Sequence, residues 1–236
     1  MAALPKTLPR ISVNDLALYM VSSETAKLAI IKRSKYPQKS PMIRYKDARP
    51  AICAHLSDAG RSVNPLVTAE TMFDQRKADM SLSPLIRDDA ENSINVMHAI
   101  QSMANKLKSY DFQAAPTKQS KLVISGVQVS VYADLLVHGA RKGIEEIGAA
   151  VLRMTQDDAE TDAAKAKRKE MGLLVATLAR LHVNQNFSTN RQPANRLCMS
   201  IDVQHGELFV APDSNSLRIK NIESACQFIA MAWPSM

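Results

Sequence analysis

The sequence predicts an α+β fold, α/β-like in its order of elements, in which a small mixed β-sheet is flanked by helices and follows a helical N-terminal part. Between Val127 and Val137 every odd position is apolar, and this period of two is typical of a strand. A second apolar run, Ile144 to Met154, follows a short turn with two glycines and predicts an antiparallel partner strand. Apolar residues at helical spacing lie before and after this pair, which favours helices packed against the sheet.

Composition limits the classes of protein to which the chain can belong. Its 236 residues are 46% hydrophobic, which is enough for a sizeable core. The absence of an apolar run of ~18 residues predicts no membrane partner, and the N-terminal MAALPKTLPR lacks the apolar core of a secretory signal. Cys53, Cys198 and Cys226 are odd in number and widely spaced, so they predict neither a disulfide framework nor a zinc site and favour a cytoplasmic protein.

The N-terminal part is predicted to be mainly helical. Ser12 can cap a first helix because Asp15 follows three residues later. The expected helices are Ser12–Met20, a second from Ser22 or Ser23 through Lys32, and a short third at Ile52–Leu56. Val63 to Met80 is ambiguous, although Glu70, Phe73 and Lys77 have helical spacing.

The C-terminal part alternates helices with strands. Helices are expected from Asp88 or Asp89 to Tyr110, from the acids after Met154 to about Asn184, and around Ile219–Trp233. Strand structure is expected over about Leu122–Val137, and a hairpin over Leu197–Ala211. The predicted division is a helical and basic part, residues 1–84, and a core with its C-terminal helix, residues 85–236, with one continuous domain as the alternative.

The net charge of +7 resides in one stretch, Lys27–Arg49, which we call the basic segment. The rest of the chain has 22 basic and 22 acidic residues, and clustered cations attract polyanions such as nucleic acid. Three prolines predict an extended or turn-rich conformation for the segment, and a solvated charged face is the alternative to a binding role. The candidate nucleic-acid-binding residues are Lys27, Lys32, Arg33, Lys35, Lys39, Arg44, Lys46 and Arg49.

Two local patterns carry a resemblance to a known family. One is the stretch ISGVQVSVYADLLV, and the other is the helix AAKAKRKEMGLLVATLARLHV. With the element order helix, three-stranded meander, helix, strand over about residues 85–215, they resemble the PD-(D/E)XK nuclease superfamily in its RecB-like branch. The matching parts are Asp88–Tyr110, Lys121–Met154, Asp157–Asn184 and Leu197–Ala211.

The resemblance implies a metal-binding aspartate at Asp134, and an acid and a lysine, spaced (D/E)-x-K, on the next strand. Two such carboxylates would hold Mg²⁺ for chemistry on phosphates. This chain departs from the pattern, because the acid position is Val151 and the lysine position is Arg153. The catalytic candidates are therefore Asp134 and Arg153 with an unorthodox carboxylate. Glu145 and Glu146 at the start of the next strand are considered for it, and Glu91 and Glu70 could supply it from a preceding helix. Asp134 is also the candidate metal ligand, and each of these residues has an ordinary structural role as its alternative.

No motif predicts another chemistry. The five histidines show no HExxH spacing, and no P-loop, dinucleotide-binding or hydrolase-elbow motif occurs, so no cofactor is expected apart from Mg²⁺ in an active nuclease. The leading hypothesis is a non-catalytic nuclease-fold protein that binds nucleic acid or a protein complex in bacterial or mobile-element DNA metabolism or phage defence. The alternatives are a protein-interaction module without nucleic-acid binding, and an active metal-dependent nuclease using Asp134.

Overall fold

The computed structural model of the protein describes residues 5–37, 42–154 and 159–236, and confirms the α+β fold with a mixed sheet flanked by helices. The helices are α1 (Val13–Met20), α2 (Glu24–Lys35), α3 (Ala48–Ser57), α4 (Asn64–Ala78), α5 (Pro84–Ser102), α6 (Ala104–Leu107), α7 (Asp162–Asn186) and α8 (Ser216–Ala232). The strands are β1 (Arg10–Ser12), β2 (Asp111–Ala114), β3 (Leu122–Ile124), β4 (Val127–Ser130), β5 (Leu135–Arg141), β6 (Ile144–Arg153), β7 (Gln192–Pro193), β8 (Met199–Asp202) and β9 (Glu207–Val210). None of these helices combines the length and apolar character that a bilayer crossing requires.

The strands form two sheets. The larger sheet has the order β2-β5-β6-β8-β9, with β7 paired to β6, and the smaller has the order β1-β4-β3. Strands β2, β5 and β6 are antiparallel neighbours, whereas β6 and β8 are parallel because α7 connects them across the face of the sheet. The larger sheet is therefore mixed, as the sequence predicted.

The apolar residues form two cores. The first core joins α1, α2, α7 and α8 to the smaller sheet and one face of β6, and includes Ile31, Val129 and Val175. The second core joins α3, α4 and α5 to the other face of the larger sheet, and includes Phe73 and Met97. Strand β6 contributes to both, because its successive side chains point to opposite faces.

The central stretch departs from its prediction in one respect. All the odd positions from Val127 to Val137 are buried, as the alternation required. They do not form one strand, because Ser125 and Gly126 adopt left-handed conformations and turn the chain from β3 into β4. The chain then leaves the smaller sheet and enters the larger sheet as β5, whose antiparallel pairing with β6 confirms the predicted hairpin. The first four odd positions therefore belong to the first core, and Leu135 and Val137 to the second.

Helix boundaries follow their caps. The prediction for α1 is confirmed, since the Ser12 hydroxyl accepts a hydrogen bond from the Asp15 amide at 3.0 Å. The predicted start of α5 at Asp88 was wrong, because Pro84 occupies the first turn and Ser83 provides the cap. The edge strand β2 was not predicted, because its four residues carry no period-two pattern that differs from their surroundings.

The first 84 residues are interleaved with the rest of the chain. Strand β1 pairs in parallel with β4 in the smaller sheet, and α1 packs against α7. Helix α3 packs against the edge strand β2 of the larger sheet. The division of the chain into residues 1–84 and 85–236 stays a prediction. The contacts show that these two parts pack closely against each other.

Gly148 lies where β6 passes against the backbone at Leu197. A Cβ atom at Gly148 would stand 2.0 Å from the Leu197 carbonyl oxygen, and backbone cannot yield as a flexible side chain does. We expect Gly148→Ala to lower the free energy of unfolding by about 1–3 kcal/mol, as overpacking does in cores. Urea unfolding measures this, with Gly60→Ala as the control, since its nearest atom is a side-chain oxygen of Asp58 at 3.3 Å. Equal effects of the two substitutions would contradict the close approach.

Candidate functional site

Asp134 stands where the chain crosses from the smaller to the larger sheet. Its backbone amide donates to the Ala150 carbonyl at 2.9 Å, which begins the pairing of β5 with β6. Its carboxylate then continues the ladder, since Oδ2 accepts a hydrogen bond from the Leu152 amide at 2.7 Å. The side chain thus replaces a backbone acceptor that the departing chain cannot supply.

The second carboxylate oxygen of Asp134 is bound by Arg49 of α3. Arg49 Nη1 donates to Oδ1 at 2.5 Å, and Nη2 donates to the Leu152 carbonyl at 3.3 Å. The Asp134 side chain is only 1% exposed and that of Arg49 is 37% exposed. Burial raises the pKa of Asp134, and the charge and hydrogen bond of Arg49 and the Leu152 amide oppose this rise. Both oxygens of the candidate metal ligand are therefore engaged within the protein.

The candidate carboxylates on β6 lie far from Asp134. The register pairs Leu135 with Ala150, and its extension by one residue places Asp134 opposite Val151, which is buried in the first core. Glu146 pairs with Gly139, five residues further along β5, or about 16 Å at the rise of a strand. Glu145 lies one step beyond and interacts with Arg191, while Glu146 interacts with Arg196. Neither glutamate can share a metal ion with Asp134 at this distance.

The helical carboxylates have surface partners. Glu91 on α5 accepts from Lys77 on α4 at 2.9 Å, and Glu70 on α4 accepts from His98 on α5 at 2.8 Å. These pairs join two neighbouring helices at the surface. Within the described ranges no group of three potential ligands could hold a metal ion.

Arg153 belongs to a buried charged cluster at the carboxyl ends of β6 and β8. It pairs in register with Asp202, and its Nη1 lies 3.5 Å from Asp202 Oδ2. Asp202 Oδ1 is 2.9 Å from His205 Nδ1. The arginine that occupies the lysine position of the resemblance therefore interacts with a carboxylate of the next strand. Neither Asp202 nor His205 was predicted as a site residue, because no motif joins Arg153 to a position that it meets only through strand register.

The basic segment is already paired with acids at several positions. Four of its cations lie within 4 Å of a carboxylate in the pairs Lys27–Glu24, Arg33–Asp15, Arg44–Asp88 and Arg49–Asp134. Lys35 donates to the carbonyl oxygens of Trp233 and Met236 at 2.8 and 3.0 Å. Lys32 and Lys46 are exposed, and Lys39 lies outside the described residues.

The conformation of the basic segment differs from its prediction. Lys27, Lys32, Arg33 and Lys35 lie on α2, because the first proline comes only after this helix has ended, and Arg49 lies in the first turn of α3. Residues 44–47 form a turn before α3, as the turn-rich prediction for this part of the segment required. Helix α2 packs against the first core, and Tyr45 packs in the second core. The cations of the basic segment therefore do not lie on one continuous element but on parts of the surface that cover different cores.

The comparisons with known proteins add no assignment, since no family model and no curated protein matches this chain.

Proposed function

We propose that the protein is a non-catalytic scaffold of the PD-(D/E)XK-like type that binds a nucleic-acid backbone in the cytoplasm, in bacterial or mobile-element DNA metabolism or defence. The observation that carries this proposal is the state of Asp134, whose two carboxylate oxygens are held by Arg49 and the Leu152 amide. An aspartate used in this way fixes the sheet and does not need to coordinate a metal.

The order of elements supports the nuclease-like type. Helix α5, the antiparallel strands β2, β5 and β6, the crossover helix α7 and the parallel strand β8 occur in the order of that core, although β2 lies before the stretch Lys121–Met154 that the sequence matched to its three-stranded meander. Strands β3 and β4 of the smaller sheet are inserted between β2 and β5, whereas its third strand, β1, comes from the N-terminal part. The three cysteines are free thiols, which fits a reducing compartment. Burial raises the pKa of each, to about 12 for Cys53 and Cys226 and about 11 for Cys198, so these thiols are poor nucleophiles.

The non-catalytic part of the proposal is tested by incubation of the pure protein with plasmid, single-stranded DNA and RNA in Mg²⁺ or Mn²⁺. We expect no cleavage, because Val151 at the acid position is a buried apolar residue and the nearest β6 glutamate is about 16 Å away. Asp134→Asn keeps an acceptor for the Leu152 amide and is the matched variant. Cleavage by the wild type that Asp134→Asn abolishes, with its circular dichroism spectrum unchanged, would establish the active-nuclease alternative.

The binding part rests on the net charge of +7 and on the exposed cations without a carboxylate partner in the described structure, Lys32 and Lys46. Each phosphate that a cation neutralises contributes about −0.9 to the slope of log affinity against log salt. With two cations engaged, we expect a slope of about −2 for a labelled DNA duplex in fluorescence anisotropy. Engagement of the paired cations as well would steepen the slope, because their ion pairs would have to exchange partners.

The double variant Lys32→Ala/Lys46→Ala is expected to weaken binding equally for unrelated sequences, since phosphate contacts position a protein but do not read bases. The control is Lys118→Ala/Lys167→Ala, which removes two exposed lysines outside the basic segment. If both double variants bind as the wild type does, the footprint lies elsewhere. If the wild type fails to bind at low salt, the nucleic-acid proposal is wrong.

A protein-interaction module is the second candidate, and the outer face of α8 favours it. Leu217, Phe228 and Met231 lie on one side of this helix and are 71%, 44% and 72% exposed. Solvent-exposed apolar residues on one helix face are typical of contact surfaces. This candidate predicts that Phe228→Ser/Met231→Ser reduces self-association in light scattering and leaves DNA binding unchanged.

A further inference from the structure

A second site lies between α3, α5 and α6, and Asp134 is not among its lining residues. It is an apolar cavity of about 340 Å³, at the small end of the ~300–1,000 Å³ range of ligand pockets. Its apolar walls include Leu56 of α3, Ile100 of α5 and Leu107 of α6. Val63 is 49% exposed at its rim, so the cavity opens to solvent.

His55 gives the cavity one defined hydrogen-bonding atom. Its Nδ1 lies 2.8 Å from the Ser62 carbonyl oxygen, which can only accept, so Nδ1 must carry the proton. In the neutral ring Nε2 is then an acceptor, and it has no hydrogen-bond partner among the described residues. The His55 side chain lines the cavity and is itself largely buried.

Two cations also line the cavity, and both are without a carboxylate ion pair in the described structure. Arg61 donates through Nη1 to the Leu56 carbonyl and through Nη2 to the Tyr110 carbonyl at 2.7 Å, and its guanidinium lies 5.0 Å from the centre of the Phe112 ring. Burial lowers the pKa of Arg61, but a guanidinium remains charged at neutral pH. Lys108 is exposed at the same rim.

The charged residues around the cavity are unevenly distributed. Arg61 and Lys108 also border a neighbouring polar depression of about 490 Å³. Asp58 and Asp111 line that depression but do not line the apolar cavity. Asp58 accepts from the Ser62 amide at 2.9 Å, and Asp111 accepts from Gln113 at 2.6 Å. Asp58 and Asp111 act electrostatically on Arg61 from the side of the depression, so a ligand in the cavity meets apolar walls and, at the border with the depression, the cations Arg61 and Lys108.

We propose that this cavity binds a small amphipathic monoanion, a medium-chain alkyl or aryl carboxylate, with its apolar body between α3, α5 and α6 and its anionic group at Arg61 and Lys108. The proposal goes beyond the nucleic-acid function and does not depend on it. Burial of the apolar body supplies ~25 cal/mol per Å² removed from water, and the two cations determine the orientation. A hydrogen bond to a charged partner contributes more than a neutral one, so the anionic group should also determine selectivity.

The test uses the full chain and two probes. Anilinonaphthalene sulfonate is an aromatic anion whose fluorescence rises in apolar sites, and octanoate is the competitor. We expect the wild type to enhance the fluorescence and octanoate to displace the probe at a concentration about tenfold lower than its neutral analogue octanol. Absence of enhancement and of octanoate binding by calorimetry would overturn the proposal, as would equal displacement by octanol.

Two substitutions locate the site, each with a matched control. Ala104→Leu fills the cavity from an exposed position of α6, and Ala78→Leu adds the same atoms to an exposed position of α4. Lys108→Glu reverses the rim charge, and Lys118→Glu reverses an exposed charge outside the cavity. We expect the cavity variants to weaken octanoate binding about tenfold or more and the controls to bind as the wild type does. Wild-type affinity in both cavity variants, or equal loss in the controls, would overturn the assignment; thermal melting verifies that each variant is folded.

Discussion

Arg49→Met is expected to lower the free energy of unfolding by about 3–5 kcal/mol at pH 8, the range for breaking one side of a buried ion pair. The substitution keeps most of the side-chain length but leaves the Asp134 carboxylate, 1% exposed, with only the Leu152 amide as a partner. The matched control is Arg44→Met in the same segment, whose pair with Asp88 is exposed on both sides and should contribute no more than about 1 kcal/mol. Urea unfolding of the two variants measures the difference.

The pH dependence of the Arg49→Met variant gives a second readout. Burial already raises the pKa of Asp134, and removal of Arg49 removes the largest opposing influence. A carboxyl group whose pKa is higher in the folded state than in the unfolded state stabilises the fold in its protonated form, and this stability is lost as the pH rises through the folded pKa. The deficit of Arg49→Met should therefore shrink between pH 8 and pH 5. The loss of stability in Arg49→Met could instead be the same at both pH values, or no larger than that of Arg44→Met. Either result would show that the Arg49–Asp134 ion pair does not stabilise the passage of the chain from the smaller to the larger sheet.

Acidification should destabilise the wild type through His182. This residue of α7 is fully buried; Nε2 lies 3.1 Å from Gln119 Oε1 and Nδ1 lies 2.9 Å from Asn186 Nδ2. Burial lowers the pKa of His182 to about 4, from its ordinary 6.5. Because the unfolded chain takes up the proton first, the stability present above pH 6.5 is lost as the pH falls towards 4. At 1.36 kcal/mol per pKa unit, the loss is about 3 kcal/mol.

His182→Gln isolates this contribution, because an amide can hydrogen-bond but cannot titrate. We expect its free energy of unfolding, compared with the wild type, to fall less steeply between pH 6.5 and pH 4.5. His98→Gln is the control, since His98 pairs with Glu70 at the surface. The same slope in His182→Gln and in the wild type would mean that other groups account for acid sensitivity.

The elements that could be predicted are those whose signals are local. Ser12 and Asp15, which are three residues apart, specify the start of α1. The alternation from Val127 to Val137 correctly identifies the six apolar residues of that stretch as buried. The alternation could not show that the chain changes sheets at Asp134. A period of two reports which side chains are buried, and both cores bury their side chains equally well.

The candidate site was predicted in position but not in its contacts. Asp134 was singled out as the one carboxylate on the polar face of the strand, and its burial and partners were beyond the reach of a single sequence. Arg49 lies 85 positions earlier and was counted as a surface cation. The cavity at His55 and Arg61 had no sequence signal, because three helices distant in sequence create it.

The interleaving of the two cores determines when the chain can fold during synthesis. Strand β1 can pair only after β4 has been synthesised, since Arg10 pairs with Gln128, 118 positions further along the chain. The first core also needs Ile222 and Trp233, and the second needs Met199 and Ile201. Closing loops of this length carries an entropic penalty before any contact compensates for it. A nascent chain on the ribosome therefore exposes the apolar faces of α1 to α5 until nearly all of the protein has emerged, and we expect it to be a client of the chaperones that bind such faces.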